Sequence, residues 1–227
     1  MQLAAEITVA RAEVADAARR LAAAGLVAGT AGNVSARRGD AVAITPTGAR
    51  LEDVTPADVT VVSAHDGRPL AGVLAPTSEL DLHLGVYAAH GAGAVVHTHA
   101  PVATALACVL DELPCIHYEM LLLGGPVRVA PYATFGTPQL AASAVAALEG
   151  RTAALLANHG TIAFGADVEG AVRATELLEW AATVYWRAAQ LGTPRVLDEA
   201  ARRAVVEAAI ARGYGAPRKI TEEERSR

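Results

Sequence analysis

Six stretches of the chain carry apolar residues at the three-to-four-residue spacing of an amphipathic helix. Gly25 follows the first stretch, and glycine readily takes the left-handed conformation that ends a helix. The segment Pro76-Thr77-Ser78-Glu79 precedes the second, where a hydroxyl and an early carboxylate are typical of a helix start. The pattern predicts helices over 3–24, 77–90, 101–110, 137–148, 167–190 and 197–212.

Short runs of apolar and β-branched residues between these helices predict strands. Asp66-Gly67 is a dipeptide typical of a tight hairpin turn. The predicted strands cover 42–45, 59–63, 94–98, 127–130, 153–157 and 162–164. Strands interspersed with helices predict an α/β fold of three layers, α/β/α, or an α+β fold, and their spacing is too irregular for a TIM barrel.

Composition adds the class of protein and excludes several partners. Residues 1–227 are 52% hydrophobic and 19% charged, without a break in composition, which predicts one globular domain with a polar, mobile C-terminal tail at about 213–227. The net charge of −5 and the lack of a basic stripe argue against nucleic acid as a partner. Charged residues near the N-terminus, among them Glu6, Arg11 and Asp16, argue against a signal peptide or a membrane span.

Two further counts concern the compartment and the chemistry. The only cysteines, Cys108 and Cys115, form neither a CxxC pair nor a disulfide framework, which predicts a reducing, cytoplasmic location. Of 19 basic residues the only lysine is Lys219, which lies in a charged C-terminal segment. A Schiff-base mechanism needs a lysine in an apolar pocket, so that mechanism is disfavoured.

The sequence His97-Thr98-His99 at the end of an apolar strand is the sharpest chemical signal. Residues i and i+2 of a strand point to the same face, so both imidazoles can bind one metal ion. His159, in an Asn-His-Gly turn, and Glu79 are the candidates that would complete a tetrahedral zinc site. The alternatives are a hydrogen-bonded structural pair, a turn histidine and a carboxylate that stabilises a helix dipole. His65, His83, His90 and His117 have no comparable pairing. His83, one helical turn after Glu79, could support the site, but a surface or core position is the preferred interpretation.

Three segments of glycine and small polar residues form a second group of candidates. They are Gly29-Thr30-Ala31-Gly32-Asn33, Thr45-Pro46-Thr47-Gly48 and Thr77-Ser78. Their backbone N–H groups and hydroxyls can bind a phosphate without a lysine, especially beside a helix N-terminus. Each segment taken alone also fits an ordinary turn, since none is a Walker loop.

Seven sequence blocks in matching order resemble the class II (zinc-dependent) aldolase/adducin-head family. Within the family, the blocks IHY and APYATFGT are similar to those of the fuculose-phosphate aldolases. The blocks are GTAGNVS (29–35), ITPTG (44–48), PTSE (76–79), VVHTHA (95–100), IHY (116–118), APYATFGT (130–137) and NHG (158–160). The resemblance implies an α/β/α sandwich around a central mixed, largely antiparallel sheet.

The resemblance also implies a role for individual residues. Zn²⁺, one ion per subunit, would be bound by His97, His99, His159 and Glu79, although other divalent metals suit these ligands. Glu79 would in addition act as the catalytic acid/base. The substrate phosphate would be bound by Asn33, Thr47, Gly48, Thr77 and Ser78.

Two tyrosines complete the implied site. Tyr118 would reach a neighbouring subunit's site and protonate the oxygen of the aldehyde product, and Tyr214 resembles a second tyrosine on a mobile tail. The alternatives are an interface or core ring for Tyr118 and a tail aromatic for Tyr214. The resemblance implies a homotetramer with its sites at subunit interfaces.

The expected activity is therefore reversible cleavage of a ketose 1-phosphate, with L-fuculose 1-phosphate as the first choice, to dihydroxyacetone phosphate and L-lactaldehyde. A metal-dependent decarboxylase, dehydratase or 4-epimerase of a sugar phosphate remains an alternative because these reactions can use the same ligands. The 4-epimerases usually carry Asp where this chain has Glu79, which weakens that alternative. A non-catalytic adducin-head-like module would be expected to have lost metal ligands that this chain retains.

Overall fold

The computed structural model describes residues 2–213, and the predicted tail, with Tyr214, lies outside that range apart from Gly213. Within it the chain forms six α-helices, nine β-strands and two 3₁₀ turns. The helices are α1 (Gln2–Ala23), α2 (Leu80–His90), α3 (Pro101–Ala107), α4 (Pro138–Ala147), α5 (Val168–Leu191) and α6 (Glu199–Arg212). The strands are β1 (Asn33–Arg38), β2 (Ala41–Ile44), β3 (Thr60–Ser63), β4 (Pro69–Ala71), β5 (Ala94–Thr98), β6 (Glu112–Leu113), β7 (Val127–Ala130), β8 (Ala153–Leu156) and β9 (Gly160–Gly165). The 3₁₀ turns are Leu51–Asp53 and Tyr118–Leu123.

All nine described strands form one sheet in the order β4-β3-β2-β1-β5-β9-β8-β7-β6. Within the described residues, β7 and β8 are the one parallel pair, and the other neighbours run antiparallel. This confirms the predicted mixed, largely antiparallel sheet. Because β1, β5 and β9 are central, their ends lie far from either edge of the sheet.

Helices cover both faces of the sheet and give it two separate cores. Residues of α1, α3 and α5 pack in one core, and residues of α2 and α4 pack in the other. Strands such as β5 (AVVHT) and β8 (AALL) are buried along their whole length. Burial on both faces explains why these strands read as continuous apolar runs rather than alternating patterns. The α/β/α architecture predicted above is confirmed.

The sequence did not predict β1, although it lies between β2 and β5 in the sheet. Its sequence, NVSARR, is mostly polar, yet Val34 and Ser35 are fully buried. Ser35 can be buried because its hydroxyl is hydrogen-bonded to side chains of α2. The short strands β4 and β6 were also not predicted.

The predicted start of α2 was wrong by a few residues, and the difference concerns a candidate site residue. The helix begins at Leu80, so Glu79 occupies the position before the first turn, with φ −101° and ψ 26°. Thr77 and Ser78 precede it in extended or turn conformation. Glu79 therefore points from a loop end rather than from a helix face.

A half-buried carboxylate fixes the segment that follows the His97-Thr98-His99 motif. Glu179, on α5, accepts hydrogen bonds from the backbone N–H groups of Val102 (3.0 Å) and Ala103 (2.8 Å) in the first turn of α3. These donors have no partner inside the helix, so the carboxylate satisfies them and favours the helix dipole. No helix in the described residues is both long and apolar enough to cross a membrane.

We expect the Glu179→Ala variant to lose about 1–2 kcal/mol of folding free energy, since it leaves two N–H groups at a helix start without an acceptor. Denaturant unfolding would measure the loss. Glu176→Ala, on an exposed position of the same helix, is the matched control and should change stability by less than about 0.5 kcal/mol. Equal losses in the two variants would contradict a capping role for Glu179.

Candidate metal centre and active-site cleft

Two neighbouring strands bring three histidines together. His97 lies on β5 and His99 directly follows that strand, while His159 precedes β9, which pairs antiparallel with β5. Asn158 takes a positive φ of 53°, which turns the chain sharply before β9. Gly160 has no room for a side chain, since a Cβ there would lie 2.4 Å from the carbonyl oxygen of Thr98. The Asn-His-Gly motif therefore sets how closely His159 approaches the other two histidines.

The ring nitrogens of these histidines converge on one point. Their candidate ligand atoms all lie within 4.8 Å of one another, and the Nε2 atoms of His97 and His99 are 3.1 Å apart. His97 Nδ1 lies 2.7 Å from the carbonyl oxygen of Thr161, which accepts its hydrogen and leaves Nε2 to face Glu79 and His99. Three imidazoles in this arrangement suit a divalent metal such as zinc.

Glu79 supplies a carboxylate at the same place. One oxygen, Oε2, lies 3.1 Å from His97 Nε2 and accepts a hydrogen bond from Asn33 Nδ2 at 3.0 Å. The other oxygen, Oε1, is buried 3.3 Å from His159 Nε2 but has no partner with hydrogen-bond geometry among the described residues. A buried carboxylate oxygen of this kind, beside three nitrogens, fits the donor set of a bound cation. The four residues predicted to bind metal are thus adjacent in the structure.

The charges of this cluster favour a cation. Burial, together with the neighbouring histidines, lowers the pKa of His99 to about 4, and burial also lowers the pKa of His159. Burial alone would raise the pKa of Glu79, but the hydrogen bonds of His97 and Asn33 and the charges of His97 and His159 outweigh it and lower that pKa well below its usual range. At neutral pH His99 and His159 are therefore neutral ligands and Glu79 is an anion.

His83 is a site residue whose part the sequence did not reveal. It lies fully buried on α2, four residues after Glu79, with Nε2 2.5 Å from Asn33 Oδ1 and Nδ1 2.7 Å from Ser35 Oγ. Ser35 Oγ in turn lies 2.7 Å from the hydroxyl of Tyr87. Burial lowers the pKa of His83 to about 3, so its ring is neutral. The i, i+4 spacing from Glu79 was the available signal, but the partners on β1 come from a distant part of the sequence.

A cleft of about 290 Å³ opens beside the histidines and Glu79. Two loops that line the cleft, 45–48 and 75–79, are joined by backbone hydrogen bonds. Thr47 N–H donates to Ala75 O and Thr77 N–H donates to Thr45 O, each at 3.1 Å. Tyr132 and Phe135, from the APYATFGT block, also line the cleft and were not among the predicted site residues. All five residues predicted to bind phosphate line it: Asn33, Thr47, Gly48, Thr77 and Ser78.

Tyr118 lies elsewhere. It begins the second 3₁₀ turn, stacks on His117 with ring centroids 4.6 Å apart, and lines a groove with Val205, Ala209 and Arg212. Tyr118 is thus absent from the residues that line the cleft of its own chain. Tyr214, the second predicted tyrosine, lies outside the described residues.

The fold and the cleft define a protein of the α/β class with a candidate metal site, and comparison with known proteins gives its family. The family model for the Class II Aldolase and Adducin N-terminal domain matches residues 12–186. The chain therefore belongs to this family, and its relatives place it among the class II aldolases.

Individual relatives share most of their length with this chain. The 5-methylthioribulose-1-phosphate/5-deoxyribulose-1-phosphate aldolase of Rhodospirillum rubrum is 41% identical over 194 residues, covering 85% of this chain and 87% of the relative. The L-fuculose phosphate aldolase of Escherichia coli is 40% identical over 163 residues, covering 71% and 75%. A solved structure of an L-fuculose 1-phosphate aldolase, 35% identical, superposes with a TM-score of 0.84 and covers 88% of this chain and 95% of its own.

We expect the His99→Ala variant to bind Zn²⁺ at least about 100-fold more weakly than the unchanged protein, because one of the convergent nitrogens is removed. Competition with a chromogenic chelator would measure the affinity. His65→Ala is the control, since His65 is exposed and contacts Asp40 away from the cleft. Equal affinities in the two variants would show that zinc binds at another site.

We expect acid to destabilise the metal-free protein partly through His83. In the folded state its pKa is about 3, whereas the unfolded chain takes up the proton near 6.5. The contribution of neutral His83 is therefore complete above pH 6.5 and is lost as the pH falls towards 3, with a slope of at most about 1.4 kcal/mol per pH unit. Denaturant unfolding between neutral pH and about pH 4 should give a shallower slope for His83→Gln. Parallel slopes would contradict this assignment.

Proposed function

We propose that this protein is a zinc-dependent aldolase that cleaves a ketose 1-phosphate to dihydroxyacetone phosphate and an aldehyde. The observation that carries the proposal is the meeting of an ionised carboxylate, Glu79, with three histidines at one end of a polar cleft. Carbon–carbon cleavage leaves negative charge on the substrate, and a Schiff base is disfavoured because the only lysine, Lys219, lies in a charged segment of the sequence. A metal site is the alternative way to stabilise that charge.

The substrate is proposed from the relatives and from chemistry. Cleavage between carbons 3 and 4 of any ketose 1-phosphate gives dihydroxyacetone phosphate, and the remaining carbons give the aldehyde. L-Fuculose 1-phosphate would give L-lactaldehyde, and 5-deoxyribulose 1-phosphate would give acetaldehyde. The relative named for 5-methylthioribulose 1-phosphate and 5-deoxyribulose 1-phosphate aligns over 85% of this chain, against 71% for the fuculose enzyme. This longer match supports a 5-deoxypentulose 1-phosphate as first choice and L-fuculose 1-phosphate as the second.

Different residues of the cleft are proposed to bind the metal, transfer the proton and bind the phosphate. A divalent metal held by His97, His99 and His159 would supply Lewis acidity for the ketose carbonyl and for the charge left at carbon 3. Glu79, ionised and beside the histidines, transfers the proton at that carbon. The loops with Asn33, Thr47, Gly48, Thr77 and Ser78 bind the phosphate through hydroxyl, amide and backbone N–H groups.

The aldehyde half of the reaction is assigned to a neighbouring subunit. Tyr118 is 43% exposed and lies in a separate groove, which supports its proposed action on the cleft of another copy. The proposal therefore includes a homotetramer in the cytoplasm, with Tyr118 exchanging a proton with the oxygen on carbon 4. That oxygen loses its proton as the carbon–carbon bond breaks and receives one from Tyr118 in the reverse condensation. Tyr214 is proposed, by the resemblance alone, as a second tyrosine of the site.

We expect the purified protein to release dihydroxyacetone phosphate from 5-deoxyribulose 1-phosphate and, more slowly, from L-fuculose 1-phosphate. An NADH-linked reductase assay of the triose phosphate would measure it. Chelation should abolish the activity and added zinc should restore it. Glu79→Gln should lower kcat by at least about 100-fold, since the proton-transfer group is lost. Asp81→Asn, an exposed acid two residues further on, is the control and should keep the activity.

Two results would contradict the proposal. Stoichiometric metal without dihydroxyacetone phosphate from either substrate would exclude the aldolase reaction and favour decarboxylation, dehydration or 4-epimerisation of a sugar phosphate. Full activity in Glu79→Gln would show that another group moves the proton.

A further inference from the structure

Four buried polar side chains lie in a row behind Glu79. They begin at Asn33 and continue through His83 and Ser35 to the hydroxyl of Tyr87, with successive contacts of 2.5, 2.7 and 2.7 Å. Asn33 is 4% exposed, Tyr87 is 2% exposed, and the other two are fully buried. The row extends from the cleft into the packing between β1 and α2.

The contact between Asn33 and the ionised Glu79 determines which atom donates the hydrogen in each of the other hydrogen bonds of the row. An ionised Glu79 can only accept, so Asn33 presents its amide nitrogen to Oε2 and its carbonyl oxygen to His83. His83 must then carry its hydrogen on Nε2, which leaves Nδ1 as an acceptor for the hydroxyl of Ser35. The oxygen of Ser35 is left to accept from the Tyr87 hydroxyl. Every hydrogen in the row thus points towards Glu79.

The two carboxylate oxygens of Glu79 have different contacts with this row of side chains. Oε2 accepts from Asn33 and lies 3.1 Å from His97 Nε2, whereas Oε1 has no hydrogen-bond partner among the described residues and lies beside His159. Asn33 has a second amide hydrogen, which remains for a group in the cleft. A carboxylate held by one oxygen keeps the other oxygen aimed at the histidines.

We propose that His83 is a positioning residue that, through Asn33 and with Ser35 and Tyr87 behind it, fixes the Glu79 carboxylate so that Oε1 faces the metal centre. This inference rests on the proposed function for its catalytic consequence but not for its geometry. The apolar residues around His83 support a role in positioning Glu79 rather than in packing alone. Val42, Ile44 and Val86 of the same core are fully buried and apolar, so an apolar residue at position 83 would avoid the cost of burying an imidazole.

The test compares four single substitutions on α2. His83→Leu removes both hydrogen bonds at similar volume, and His83→Gln keeps an N–H donor that can reach Asn33 Oδ1. His90→Leu is the matched control, because His90 is on the same helix and bonds only to the carbonyl of Val145 and stacks on Phe164, away from the cleft. Tyr87→Phe, which deletes only the last hydroxyl of the row, serves if His83→Leu does not fold.

We expect His83→Leu to lower kcat by about 10–100-fold with KM changed less than about threefold, because the substrate still binds but Glu79 is misplaced. His83→Gln should recover most of the loss, and His90→Leu should show none. Tyr87→Phe should show a smaller loss in the same direction. In the Co²⁺-substituted protein, His83→Leu should shift the visible absorption bands and lower the affinity for Co²⁺ by about tenfold.

The spectroscopic arm separates this inference from the proposed function. If the unchanged protein cleaves neither ketose phosphate but His83→Leu alters the Co²⁺ spectrum and affinity, the proposed function fails and the positioning role stands. Co²⁺ spectra and affinities equal to those of His90→Leu, with only a lower melting temperature, would overturn the positioning role. A nitrogen NMR spectrum with the hydrogen of His83 on Nδ1 at neutral pH would also overturn it.

Discussion

The site depends on how closely β5 and β9 approach each other at Gly160. A Cβ at that position would lie 2.4 Å from Thr98 O and 3.0 Å from the His99 ring, so any other residue would push the strands apart. The same contact sets His159 against His97 and His99, whose ring centroids lie 4.8 and 5.1 Å from it. The glycine after His159 is therefore as much part of the metal centre as the histidines, although it donates no ligand atom.

This close packing concentrates polar groups in a place that a soluble fold would otherwise fill with apolar residues. His97 is fully buried, and the oxygen Oε1 of Glu79 is buried without a hydrogen-bond partner in the described part of the chain. Such groups reduce folding stability unless a ligand compensates them. This loss of folding stability is concentrated at one point of the sheet, which is typical of a functional site rather than of a structural core.

The parts of the site that the sequence could predict are those fixed by local spacing. His97 and His99 share a face because they are two residues apart on a strand, and the continuous apolar runs of β5 and β8 read clearly as buried strands. The strand β1 could not be predicted, because its pairing with β2 and β5 buries the polar Ser35, whose hydroxyl is satisfied by His83 and Tyr87, 48 and 52 positions away. The role of His83 was hidden for the same reason, since its partner Asn33 lies 50 positions earlier.

The candidate substrates share one half, the phosphate with the first three carbons, and differ in the other, the aldehyde half, and different parts of the cleft would contact the two halves. On the proposed function, every ketose 1-phosphate presents the same phosphate and the same first three carbons, and the loops around Gly48 and Ser78 lie where that half would bind. The aldehyde half would face Tyr132 and Phe135, which are 62% and 64% exposed at the mouth of the cleft. A change at this mouth can therefore alter the aldehyde that is accepted without disturbing Glu79, the histidines or the row of side chains behind them.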